Sequence, residues 1–118
     1  MNCYNGEKYV RQALESVFAQ TYSNFEVLFV DNCSTDKSAE ITSEFGDKVR
    51  ILKTPQNMSL CKARVFARDF IDGEFFTVLD IDDLILPTKF EKQVQILQEN
   101  PALGAVYCDT IYFKDNGE

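Results

Sequence analysis

The chain has 118 residues, of which 45% are hydrophobic and 10 are phenylalanine, enough for one compact domain with a real core. A net charge of −7 argues against a surface built for nucleic acid or an anionic membrane, because both demand a basic patch. An anionic nucleotide stays open as a ligand, since a bound metal reverses the local field.

The chain contains no histidine, and its four cysteines, Cys3, Cys33, Cys61 and Cys108, form no CxxC pair. A structural zinc site is therefore not indicated, and spaced cysteines of this kind read as free thiols in a reducing cytoplasm. No apolar run approaches a membrane span, and no basic start with an apolar centre marks a signal peptide.

In chain order, residues 1–6 read as the end of a short strand followed by an Asn5-Gly6 turn. Val10, Ala13, Leu14, Val17 and Phe18 form the i, i+3, i+4, i+7, i+8 stripe of an amphipathic helix over residues 7–20. Residues 25–30 are a largely apolar strand that ends in Asp31-Asn32-Cys33-Ser34-Thr35-Asp36, with Ser34 or Thr35 as a plausible N-cap for a helix over 36–45. Residues 49–52 are a further strand, and Pro55 marks 53–57 as loop.

A helix over 60–71, closed by Asp72-Gly73, places Leu60, Ala63, Ala67 and Phe70 inward. The apolar run 75–79 reads as a buried strand, Pro87 opens a helix to about residue 98, and residues 105–113 are a last strand before a polar tail over 114–118. Phe18, Phe25, Phe29, Phe66, Phe70 and Phe90 sit at core spacing. The order β-α-β-α-β-α-β-α-β predicts an α/β fold, a mostly parallel Rossmann-like sheet with helices on both faces.

Chemistry concentrates where the fourth predicted strand ends. Asp80, Asp82 and Asp83 place three carboxylates within four residues, a costly cluster unless a cation offsets it. Hard oxygen ligands suit Mg²⁺ or Mn²⁺, which are held by one or two carboxylates together with substrate phosphates. An acidic loop that merely caps the next helix is the plainer alternative. In a parallel sheet the loops at Asp31 and Asp80 open on one edge and form a composite site. There Asp31 and Asn32 can hydrogen-bond a base or ribose, and Lys62 or Arg64 can meet phosphate oxygens. No GxxxxGK[ST] or GxGxxG loop is present.

Together these residues resemble the nucleotide-sugar-binding half of the family 2 glycosyltransferases. The resemblance rests on Tyr4-Asn5-Gly6-Glu7, Leu14-Glu15-Ser16-Val17 with Gln20-Thr21-Tyr22, and residues 25–31 followed by Ser34-Thr35-Asp36. It continues through Asn57, Ala63-Arg64, Gly73-Glu74-Phe75 and Leu79-Asp80-Ile81-Asp82-Asp83. It implies the GT-A fold and transfer of a sugar from a nucleotide diphosphate sugar, UDP-type favoured, to a saccharide or lipid-linked acceptor, with inversion. Tyr4 would lie against the base and Asp31 or Asn32 would read its edge. Asp82 would contact the ribose side, Asp83 would help hold Mn²⁺ or Mg²⁺ with Asp82, and Asp80 would orient the loop. Residues 1–118 would be a single donor domain of a longer enzyme whose catalytic base lies beyond residue 118. The resemblance also implies polysaccharide synthesis in the cytoplasm or at the inner face of the membrane.

Three stretches depart from the family pattern: Asn32 and Cys33 stand where it often has Asp-Gly, Val65-Phe66-Ala67 follow Ala63-Arg64 in place of Asn-x-Gly, and Met58 stands where Gly is common. A nucleotidyltransferase-like enzyme and a non-catalytic interaction domain are the alternatives. A homo-oligomer that covers exposed sheet edges is a further expectation.

Overall fold

The computed structural model describes residues 1–114. Its centre is a three-stranded parallel sheet of β1 (Asn2–Cys3), β2 (Val27–Asp31) and β3 (Val49–Lys53), in that spatial order. Asp80 makes an isolated parallel bridge to Asn2 on the free side of β1. β1 therefore lies between β2 and the Asp80 turn. Right-handed crossovers place α1 (Val10–Phe18) and α2 (Ser38–Ser43) on one face, and the return to Asp80 places α3 (Leu60–Arg68) on the other. The reversal of direction at β1 is a topological switch point, where open α/β sheets hold ligands. The α/β class and the parallel sheet match the sequence-based expectation.

The core is built from the predicted stripes. Val10, Ala13, Leu14 and Val17 are buried along α1, and with Cys3, Val27, Phe29, Val49 and Leu79 they fill the space over the sheet. Phe29 is completely buried. Phe18 stacks on Phe45 at 5.5 Å between ring centroids, and Phe25 meets the edge of Phe90 at 5.4 Å. The second contact attaches α4 (Lys89–Glu99) to the main body.

Two expected strands are not formed. Residues 75–79 pair only through the neighbouring Asp80, and of their side chains only Leu79 is buried, with Phe76 70% exposed. The physical reason is the shortness of β1, whose two residues offer too few ladder partners to hold a strand there. Residues 105–113 lie outside any strand, with Tyr107 and Tyr112 each 93% exposed, because no strand edge among the described residues pairs with them. Phe70 is also exposed rather than in the core. Of the predicted polar tail, residues 115–118 lie outside the described residues.

Helix ends shift for local reasons. α1 starts at Val10 because the Gly6 carbonyl takes the N–H groups of both Tyr9 and Val10, making residues 6–9 a turn. Neither Ser34 nor Thr35 caps α2. The Asp36 carboxylate accepts the Ser38 N–H at 3.0 Å at that helix start. α3 ends at Arg68, before the expected Gly73, and α4 starts two residues after Pro87.

Candidate functional site

Three loops meet at the switch point. The loops after β1 and β2 are laced together by small polar side chains. Asn5 N–H donates to Ser34 Oγ at 3.1 Å, Thr35 N–H donates to Asn5 Oδ1 at 2.8 Å, and Gly6 N–H donates to Ser38 Oγ at 2.8 Å. Glu7 N–H donates to Asp36 Oδ2 at 2.9 Å, and Lys37 N–H returns the contact to Glu7 Oε2 at 3.0 Å. Asn5 and Cys33 both have left-handed backbones, with φ of 52° and 61°, which turn the two loops toward each other. The left-handed Cys33 accounts physically for glycine being common at this position.

Two titrations are shifted at this junction. Burial pushes the Asp36 carboxyl up, but hydrogen bonds from the Ser38 hydroxyl and the Glu7 and Ser38 N–H groups outweigh it and hold the group below its usual value. Burial pushes the Cys3 thiol up, against weaker opposing contacts with Ser38 and Ser34. All four cysteines are unpaired.

A cleft of about 230 Å³ opens beside the laced loops, lined by Asn2, Cys3, Tyr4, Asn32, Asn57, Met58, Leu60 and Ala63. Tyr4 and Asn32 are thus brought together as expected from sequence, with Tyr4 55% exposed. Asp31 is buried outside the lining, its Oδ1 accepting the Ser34 N–H at 2.9 Å. The Asn32 amide faces the loop after β3.

The third loop carries the acids. Arg64 on α3 donates to Asp80 Oδ1 at 2.6 Å, so Arg64 reaches a carboxylate of its own chain. Asp83 N–H closes a turn onto Asp80 O at 3.1 Å. Ile81 packs against Gly6 so closely that a Cβ on Gly6 would lie 1.7 Å from Ile81 Cδ1. Behind the turn, Gln20 donates to Leu86 O at 2.8 Å and accepts the Phe90 N–H at 3.1 Å, and Ile85 N–H reaches Ser16 Oγ at 3.3 Å. Gln20 is 8% exposed, and this anchoring role was visible in sequence only as part of Gln20-Thr21-Tyr22. Lys62 stays exposed on α3.

The expected cluster of three carboxylates is not formed. Asp80 turns to Arg64, and among the described residues no group of three acidic, thiol or imidazole side chains is placed to hold an ion. Asp82 and Asp83 remain exposed, and their carboxylates take part in no hydrogen bond or ion pair among the described residues. Two uncommitted carboxylates fit a hard divalent cation that draws its other ligands from phosphates, and do not fit a closed protein cage. Asn2 Oδ1 and Arg64 Nε, which flank Asp80, are buried polar atoms without a partner.

The sequence matches Glycosyl transferase family 2 over residues 1–118. The chain belongs to this family. An uncharacterised glycosyltransferase from Haemophilus influenzae is 38% identical over 116 residues, covering 92% of this chain and 46% of the relative. Another, from Methanocaldococcus jannaschii, is 30% identical over 122 residues, covering 99% of this chain and 42% of the relative. The chain therefore spans less than half the length of these family members. Among solved structures, S. aureus TarS in complex with UDP-GlcNAc superposes with a TM-score of 0.81 at 30% identity, covering 85% of this chain and 30% of that one. A mannosyltransferase from Pyrobaculum calidifontis, in complex with GDP-Man and Mn²⁺, gives a TM-score of 0.84 at 23% identity over 93% of this chain and 34% of that one, a likeness of fold.

Proposed function

We propose that residues 1–118 form the donor domain of a family 2 glycosyltransferase, binding a nucleotide diphosphate sugar, UDP-type favoured, for inverting transfer to an acceptor hydroxyl. The observation that carries this reading is the meeting of the Tyr4 cleft and the unpaired Asp82 and Asp83 at one sheet edge. The likeness to TarS, solved with UDP and with UDP-GlcNAc, supports a uridine donor.

In this reading Tyr4 lies against the base at the cleft and Asn32 stands at its base-side end, while the buried Asp31 holds the turn behind it through the Ser34 N–H. Asp82 faces the ribose. Asp83, with Asp82, would hold Mn²⁺ or Mg²⁺ where the diphosphate binds. A bound cation supplies Lewis-acid stabilisation of the leaving diphosphate. Arg64 acts by holding Asp80, which fixes the turn from which Asp82 and Asp83 project. The reading assigns no catalytic base within residues 1–118 and leaves the acceptor to other residues. Among the described residues no helix is long and apolar enough to cross a membrane. A cytoplasmic location fits the unpaired thiols.

Thermal denaturation with UDP and Mn²⁺ tests the reading. The midpoint is expected to rise with both ligands together, and Asp83→Ala is expected to remove that rise. Unchanged midpoints with UDP, CDP, GDP and ADP, each with Mn²⁺ or Mg²⁺, would instead identify an interaction domain without nucleotide binding.

A further inference from the structure

The Met58 wall of the cleft carries an inference that rests on the donor-domain reading and goes beyond it. Asn32 stands at the end of β2 and is 7% exposed. Both ends of its amide are spent on one segment. Nδ2 donates to Met58 O at 2.7 Å, while Oδ1 accepts the Met58 N–H at 3.0 Å and the Thr54 hydroxyl at 3.1 Å. This is the pairing a neighbouring strand would give to both backbone groups of Met58. Asn57 Nδ2 donates to the Asn32 carbonyl at 3.0 Å, and Cys33 Sγ lies 3.3 Å from Thr54 O. Asn32 and Cys33, just beyond β2, thus hold Thr54, Asn57 and Met58 of the loop after β3, and that loop brings Met58 to the cleft with Tyr4.

We propose that Asn32 is a positioning residue of the nucleotide site: its amide fixes Met58 as a cleft wall, and the base meets that wall and Tyr4 rather than the amide. Met58 needs both a donor and an acceptor, and an amide supplies both. A carboxylate of the same shape supplies acceptors only. Asn32→Asp keeps the bonds from Met58 N–H and Thr54 but sets an oxygen against Met58 O, in a buried place where an unsatisfied group is costly. A side chain that read the base by accepting its N–H would survive this exchange, so the isosteric swap separates the two roles. Loosening the wall removes preorganisation, which weakens binding without regard to the base edge.

The test is calorimetric titration of UDP and of CDP, each with Mn²⁺, at about 15 °C, where loss of thermal stability alone does not alter the affinity of folded protein. Asn32→Asp is expected to weaken both nucleotides about tenfold and by the same factor. Met58→Ala is expected to do likewise, with the double variant no weaker than the weaker single one. If Asn32→Asp fails to fold by circular dichroism, Met58→Ala carries the test, because its side chain is half-exposed. Binding by Asn32→Asp as tight as wild type, a changed ratio of UDP to CDP, or an unaffected Met58→Ala would overturn this inference alone. A wild-type chain that binds neither nucleotide would remove the donor-domain reading along with it.

Discussion

Replacing Gly6 by alanine probes how the acid-bearing turn is seated. A Cβ at this position would lie 1.7 Å from Ile81 Cδ1, 3.0 Å from Ile81 Cγ1 and 3.2 Å from Cys3 Sγ. Gly6 does not have a left-handed backbone, so the cost is steric and not torsional. Ile81 can swing its terminal methyl aside. Cγ1 and Sγ have less freedom, since Cys3 is 2% exposed inside the sheet and Ile81 packs on the core. Overpacking of this kind costs about 1–3 kcal/mol. In a domain of this size that lowers Tm by roughly 4–12 °C. The chain contains no tryptophan, so urea unfolding followed by far-UV circular dichroism is the suitable assay. Ile81→Val deletes the atom in the shortest contact, and in that background Gly6→Ala is expected to lose at least about half its cost. A loss below about 0.5 kcal/mol, the level of an ordinary surface change, would refute the argument. So would an equal loss in both backgrounds.

Two predictions concern titrating groups. Asp36 has its folded carboxyl held below the usual value, so its contribution is complete above the unfolded pKa and is lost as pH falls through the folded one. The urea midpoint of Asp36→Asn should therefore vary less than wild type between about pH 5 and pH 2, and parallel curves would contradict the lacing described here. At about pH 8 an aromatic disulfide reagent should label the exposed Cys61 and Cys108 rapidly, while the buried, upshifted Cys3 reacts only on unfolding. Mass spectrometry showing early labelling of Cys3 would count against its burial.

Local patterns reported the interior of the fold well. The stripe from Val10 to Val17, the strand through Phe29 and the inward Ala63 need only helix or strand period and side-chain size, and each is buried. The apolar run at 75–79 reads identically whether or not neighbours pair with it, because pairing is a property of other segments. That is why a strand was expected there and only the Asp80 bridge is present. In the site, the position of Tyr4, Asn32 and Asp80 at one edge follows from the alternation of strands and helices. The Ile81 contact with Gly6 and the grip of Asn32 on Met58 join residues 75 and 26 positions apart, and no local pattern carries them. The common glycine at position 33 of the family pattern is a backbone hint, made physical by the left-handed Cys33.

The lacing between the first two loops is made almost wholly of side chains bonded to backbone N–H groups, and these residues lie outside the cleft lining. The surface at 57–60 has the opposite character, offering Asn57, Met58 and Leu60 to the opening. Scaffold and cleft wall are thereby assigned to separate stretches of chain. Exchanges at 57–60 can reshape the opening while the laced edge stays put, so variation there leaves the foundation of the fold intact.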